Sequence, residues 1–265
     1  MTAIFNRETQ LRLTPVFLLL AGVSLGACEG RNARLSSDEM TTSSTSPPSF
    51  KAVASLGKKW EANPANAEVG VAYAAGLEKL GQTDQQLGVL KTVADANQQN
   101  AAVQSLYGKK LVSAGRSGEA IPVLERASAN GADWRAYSAL GSAYDQQQRY
   151  AQARTNYQKA LQLQPNEISV LNNMGMSYIM EGNLKEAEAT LRKAMALPAG
   201  RNAAQIRQNL ALSVGLQGRF DEARKIASED LPPDQIEANM AYLQRMLARP
   251  NTWQQLSDGE AGQSG

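Results

Sequence analysis

An all-α solenoid of paired helices is the fold class this sequence predicts, and three observations predict it. A pattern of aromatic, aliphatic and small residues returns about every 34 residues through most of the chain. Short polar stretches carrying Gly115, Gly182 and Gly218 fall at matching places in these periods, where a first helix would end and a second begin. The apolar positions inside each period are spaced as on one face of a helix. The expected architecture is about five helix-turn-helix repeats with a capping helix at each end, over residues 51–248.

Composition narrows the chemistry. The 265 residues are 43% hydrophobic and 20% charged with a formal net charge of +2, which argues against a dedicated nucleic-acid binder. Lys58-Lys59 and Lys109-Lys110 read as solvated helix faces. With no histidine and one cysteine, the usual general base near neutral pH and thiolate zinc sites are both missing. Glu186, Glu188, Asp221 and Glu222 read as exposed helix starts rather than catalytic groups. No catalytic residue, cofactor or metal is expected.

Taken in order, the first element is a signal. Residues 1–12 carry Arg7 and Arg12, the apolar block Leu13 to Val23 follows, and the small residues Gly26 and Ala27 close it. This is the order of a secretory signal, and the block is short for a membrane-spanning helix; an uncleaved anchor is the alternative. Leu25-Gly26-Ala27-Cys28 resembles the lipobox of bacterial lipoproteins. That resemblance implies a signal peptide over 1–27, lipid on the Cys28 sulfur, and an acylated new amino terminus. At about 0.8 kcal/mol for each buried methylene, two or three acyl chains anchor stably. Glu29, rather than the aspartate associated with inner-membrane retention, implies by the same resemblance an outer-membrane anchor with the repeats facing the periplasm. Residues 28–50 continue from the lipidated cysteine with Ser, Thr and Pro dominant, which predicts a disordered tether with a typical span of about 26 Å.

Residues 51 onward begin with a helix in which Ala52, Leu56 and Pro64 fit the second half of a repeat. The clearest repeat contains Tyr137-x2-Leu140-Gly141-x2-Tyr144, then Ala153-x3-Tyr157, Ala160 and Pro165. Leu171-x2-Met174-Gly175-x2-Tyr178, with Ala187-x3-Leu191 and Ala194, repeats it. Gln104-x2-Tyr107-Gly108-x2-Leu111, with Ala120, Leu124 and Ala127, precedes it. Tyr73-Ala74-x2-Leu77 with Leu90 is a poorer copy, because Gln86 stands at the small position. Leu210-Ala211-x2-Val214 with Ala223-x3-Ala227 follows an insertion near 199–203. Repeat starts fall near 67, 101, 134, 168 and 204. Small residues let paired helices approach closely, and the larger ones fill the space between neighbours. Ile236, Met240, Leu243 and Leu247 predict a terminal helix over 234–248 with Asp234 at its start, and residues 249–265, including Trp253, read as a disordered tail.

These positions resemble the tetratricopeptide (TPR) pattern, with Tyr for its first Trp and for its later Phe. The resemblance implies a TPR-type solenoid that binds protein partners along a concave face lined by the first helix of each pair. The register assigns Lys109, Arg135, Asp145, Asn172, Asn173, Met176, Gln208 and Asn209 to that groove. Asn173 and Asn209 stand at equivalent positions, where an amide can bond a ligand's backbone or merely satisfy local groups. Lipobox, tether and repeats together resemble the TadD family of TPR lipoproteins from tight-adherence (Tad/Flp) pilus assembly. Membership would imply a periplasmic assembly scaffold whose partners are a secretin or other pilus-machine components, with self-association open. The alternatives are a pilotin-like or outer-membrane assembly lipoprotein of another envelope system, and a cell-wall enzyme or its activator acting through a carboxylate such as Glu119 or Asp145.

Overall fold

A computed structural model of the chain describes residues 50–131 and 133–248. The signal at 1–27, the lipobox Leu25-Gly26-Ala27-Cys28, the tether up to residue 49 and the tail at 249–265 lie outside the described residues. Within them the structure is all-helical, with twelve helices and no strand. An opening helix α1 (Phe50–Ala62) leads into five pairs, and Phe50, assigned above to the tether, belongs to that helix. The pairs are α2 (Ala67–Lys79) with α3 (Thr83–Ala96), α4 (Ala101–Ser113) with α5 (Ser117–Ala129), and α6 (Trp134–Gln146) with α7 (Tyr150–Leu163). Then come α8 (Ile168–Glu181) with α9 (Leu184–Ala196), α10 (Ala204–Leu216) with α11 (Phe220–Ala227), and the closing helix α12 (Pro233–Leu247).

Local chemistry explains why the first helices start where they do. Asn66, Asn100, Asp133 and Glu167 each accept a backbone N–H from the first turn of α2, α4, α6 and α8, at 3.0, 3.2, 3.0 and 3.2 Å. Those four helices and α10 stop at five equivalent turn residues in the left-handed region: Gly81, Gly115, Gln148, Gly182 and Gly218, with φ of 71°, 74°, 58°, 87° and 80°. Glycine reaches that region without a Cβ clash, so Gln148 carries strain its four counterparts avoid. At the far end Asp234 does not cap α12; Pro232 takes that place and Pro233 opens the helix, where its missing N–H costs nothing.

Close approach within each pair rests on the small residues. A Cβ on Gly108, Gly141 or Gly175 would lie 2.5, 2.6 or 2.7 Å from Leu124, Tyr157 or Leu191, so these side chains pack directly on backbone. Ala120, Ala153, Ala187 and Ala223 are fully buried across the pairs. Gln86 takes the same position in the first pair, buried, with its amide donating to Glu78 at 3.2 Å. The core runs as one cluster from Val53 to Val170 and a second from Leu171 to Leu243, with Leu161 packed against both.

Polar contacts tie one pair to the next. Lys110 on α4 pairs with Glu78 on α2. Glu188 is not the exposed helix-start residue expected, because Arg192, Arg219 and Gln217 all reach it from neighbouring turns and leave its side chain 14% exposed. Arg192 and Arg219 also reach Glu222, closing a ring of alternating charge between α9 and α11. Beyond the insertion, Arg207 forks onto Asp230 with donations of 2.7 and 2.6 Å and donates to the Arg201 carbonyl at 2.6 Å.

Candidate functional site

The first helices of the middle pairs supply a pocket of about 280 Å³. Lys109, Val112 and Ser113 come from α4, Trp134, Arg135, Ser138, Ala139 and Ser142 from α6, and Ser169 and Asn173 from α8. Three groove residues read from the sequence, Lys109, Arg135 and Asn173, therefore meet in one place. The other lining residues follow from the same register. Ser142 is the counterpart of Lys109, Ser169 of Arg135, and Ala139 of Asn173. Serine and alanine have no distinctive chemistry in a sequence, so the register alone could have found them.

Two cations and no carboxylate line the pocket. Lys109 is exposed and has no acidic partner among the described residues, whereas its neighbour Lys110 is consumed by Glu78. Arg135 bonds Asp133 at 2.7 Å outside the pocket while its guanidinium lies 4.5 Å from the Trp134 ring centroid. Asn173 is half-buried and its amide makes no side-chain hydrogen bond among the described residues. Such a surface suits a segment carrying carboxylates and backbone carbonyls, with Trp134, Val112 and Ala139 offering apolar contact.

The remaining groove assignments sort differently. Asn209 is buried and donates its amide to Asn172 across α10 and α8 at 2.8 Å, so that pair braces two repeats. Asn173 and Asn209 thus stand at equivalent positions and do different work. Met176 is half-buried against the second core cluster, and Gln208 is half-buried on α10 outside the pocket.

Asp145 is a correction. Its side chain does not face the groove but turns into the seam of α6, α7 and α8, 6% exposed. There Tyr157 donates to one carboxylate oxygen at 2.7 Å and Ser177 to the other at 2.6 Å. Burial pushes the Asp145 carboxyl up to about 6 despite those two donors and the nearby Arg154. Burial, then the Asp145 charge, pushes the Tyr157 phenol up as well. Arg154, 5.3 Å from the Tyr178 ring centroid, is paired with Glu181. Glu119, the other carboxylate considered for catalysis, is exposed and bonded to Arg116 at 2.7 Å. Among the described residues no three His, Cys, Asp or Glu side chains gather as a metal would require, and no helix is long and apolar enough to cross a membrane.

Comparison with known proteins agrees with the repeat fold. Residues 134–167 and 168–199 each match a tetratricopeptide repeat model. No curated protein matches the sequence. Among solved structures, PilW, described as a widely conserved type IV pilus biogenesis factor, superposes with a TM-score of 0.61 at 18% identity, covering 74% of this chain and 90% of its own. YrrB, described as a TPR protein with an unusual peptide-binding site, gives 0.53 at 18% identity, over 72% of this chain and 100% of its own. A MamA fragment from Desulfovibrio magneticus RS-1 gives 0.51 at 25% identity, over 58% and 87%. Residues 134–199 are thus TPR repeats within a solenoid of that fold formed by the described residues, and TPR domains bind protein partners.

Proposed function

We propose that this protein is a lipid-anchored periplasmic scaffold that holds an extended, carboxylate-bearing segment of a partner protein and serves assembly of a Tad/Flp-type pilus machine. The observation that carries the docking part is the convergence of Lys109, Arg135 and Asn173 in one pocket without an acid. Each group is left with donor capacity the fold does not use, and a desolvated segment must find such donors to replace water. The peptide-binding site in the description of YrrB and the pilus role in that of PilW are compatible with this reading. The anchor and the Tad assignment rest on the lipobox ending in Cys28 and the tether that follows it. In this reading the scaffold works by holding partners.

Crosslinking and affinity capture from intact envelopes test the proposal. The unaltered protein should retain a secretin or another pilus-machine component, and Lys109→Gln with Arg135→Gln should lose it without lowering the melting temperature. Unchanged capture would remove the pocket from the account. Cys28→Ser should abolish fatty-acid labelling and release the protein from membranes; labelling that persists would overturn the anchor.

A further inference from the structure

A chain of side-chain hydrogen bonds leads from the pocket into the solenoid. Ser142 lines the pocket, and its hydroxyl lies 3.2 Å from both the Tyr157 hydroxyl and the Ser138 carbonyl. Tyr157 donates onward to Asp145, and Ser177 donates to Asp145 from the next repeat. Each link fixes the direction of its neighbour. With Asp145 ionised, both of its oxygens accept, so the Tyr157 proton points inward. The Tyr157 oxygen can then only accept, and Ser142 spends its single proton on Tyr157 or on the Ser138 carbonyl. Toward the pocket Ser142 offers a lone pair.

A proton taken from solvent onto Asp145 reverses that chain. The new O–H must donate, and the Tyr157 oxygen is the acceptor at 2.7 Å, while Ser177 keeps donating to the other oxygen. Tyr157 then turns its own proton toward Ser142. Accepting from Tyr157, Ser142 no longer spends its proton there and shares it between the Ser138 carbonyl and the pocket, and the negative charge behind the pocket is gone. The charged and titratable groups facing Asp145 are few. From α7 they are Tyr157 and Arg154, and from α8 Glu181, itself paired with Arg154.

We infer that Asp145, acting through Tyr157, is the positioning residue that sets whether Ser142 meets a docked segment as acceptor or donor, so that proton uptake by the solenoid tightens its hold on carboxylate-bearing segments. This rests on the docking role proposed above and adds its regulation. Burial brings the Asp145 carboxyl to about 6, so the reversal falls within reach of mild acidification.

The test uses the full chain on an array of immobilised random decapeptides, at about pH 5.5 and about pH 7.5. The unaltered protein should capture Asp- and Glu-bearing peptides about fivefold better at the lower pH, the lower end of ordinary coupling between sites. Asp145→Asn does not titrate and should capture them equally at both. Tyr157→Phe leaves the carboxylate titrating but cuts the relay, and should also lose the pH response. Both variants are read against their melting temperatures, and each peptide's own titration cancels because every variant meets the same array. A flat pH profile in the unaltered protein would overturn the inference, as would an undiminished response in Tyr157→Phe. Capture with no preference for acidic peptides would overturn it too. No capture of any peptide would instead defeat the docking proposal and this inference with it.

Discussion

Replacing Gly141 by alanine tests the packing that defines each repeat. A Cβ at this position would lie 2.6, 2.8 and 2.8 Å from three atoms of the Tyr157 ring, against an ordinary contact of 3.4–4 Å. The ring must retreat by about 0.8 Å, yet Tyr157 is 1% exposed and its hydroxyl is tied to Asp145 and Ser142. Forcing one methyl into a full core costs about 1–3 kcal/mol, and a pinned ring puts this site at the upper end. Alanine returns about 1 kcal/mol of helix propensity, leaving a net loss of about 2 kcal/mol. Gly88 is the internal control. It lies in α3, exposed, with nothing within 4 Å of a Cβ, so Gly88→Ala should gain about 0.5–1 kcal/mol. Urea unfolding followed by circular dichroism reads both. Gly141→Ala as stable as the parent, or the two substitutions shifting the midpoint in the same direction, would refute the argument from close approach.

Three further outcomes follow from the same structure. Because burial raises the Asp145 carboxyl from 3.8 to about 6, the folded chain holds that proton more tightly than the unfolded one; the stability it contributes is full at low pH and declines as pH rises through about 6. Asp145→Asn lacks that decline, so its stability relative to the parent should improve by about 2 kcal/mol between about pH 4.5 and 7.5 in urea unfolding. Gln148→Gly relieves the one non-glycine among the five equivalent turn residues and should gain about 0.5 kcal/mol by the same assay. Asp230→Ala takes the bidentate partner from the Arg207 guanidinium, which keeps Glu229 at 3.2 Å and the Arg201 carbonyl; the cost should be about 1–2 kcal/mol, seen as faster hydrogen exchange in α12 with α2–α5 unchanged.

How much of this was legible beforehand depended on whether a residue's role is steric or relational. Gly108, Gly141 and Gly175, with Ala153 and Ala187 opposite, announce close helix pairs, since no larger side chain fits, and those pairs are found. Gly115, Gly182 and Gly218 mark turns for a similar reason, while Gln148 does the same job without a glycine and gives no signal. Register places Asp145 in the groove, and Val112, one repeat earlier in the same register, does line the pocket. The difference lies in partners distant in sequence, Tyr157 from the paired helix and Ser177 from the next repeat, whose hydroxyls draw the carboxylate into the seam. Asn173 and Asn209 diverge likewise: Asn209 finds Asn172 one repeat back, and Asn173 finds no such partner among the described residues. Glu188 looked like a solvated helix start because the arginines that enclose it become neighbours only when α9 and α11 stack.

The central claim is that the pocket of α4, α6 and α8 receives a partner's segment, and site-specific photocrosslinking in living cells tests it most directly. A photoreactive residue replaces Ser113, exposed at the pocket, or Gln158, exposed on α7 outside it. Adducts to one discrete partner at Ser113, absent at Gln158 and lost when Lys109→Gln and Arg135→Gln are added, are the predicted result. Adducts at Gln158 alone, or a Ser113 adduct indifferent to those two cations, would contradict it.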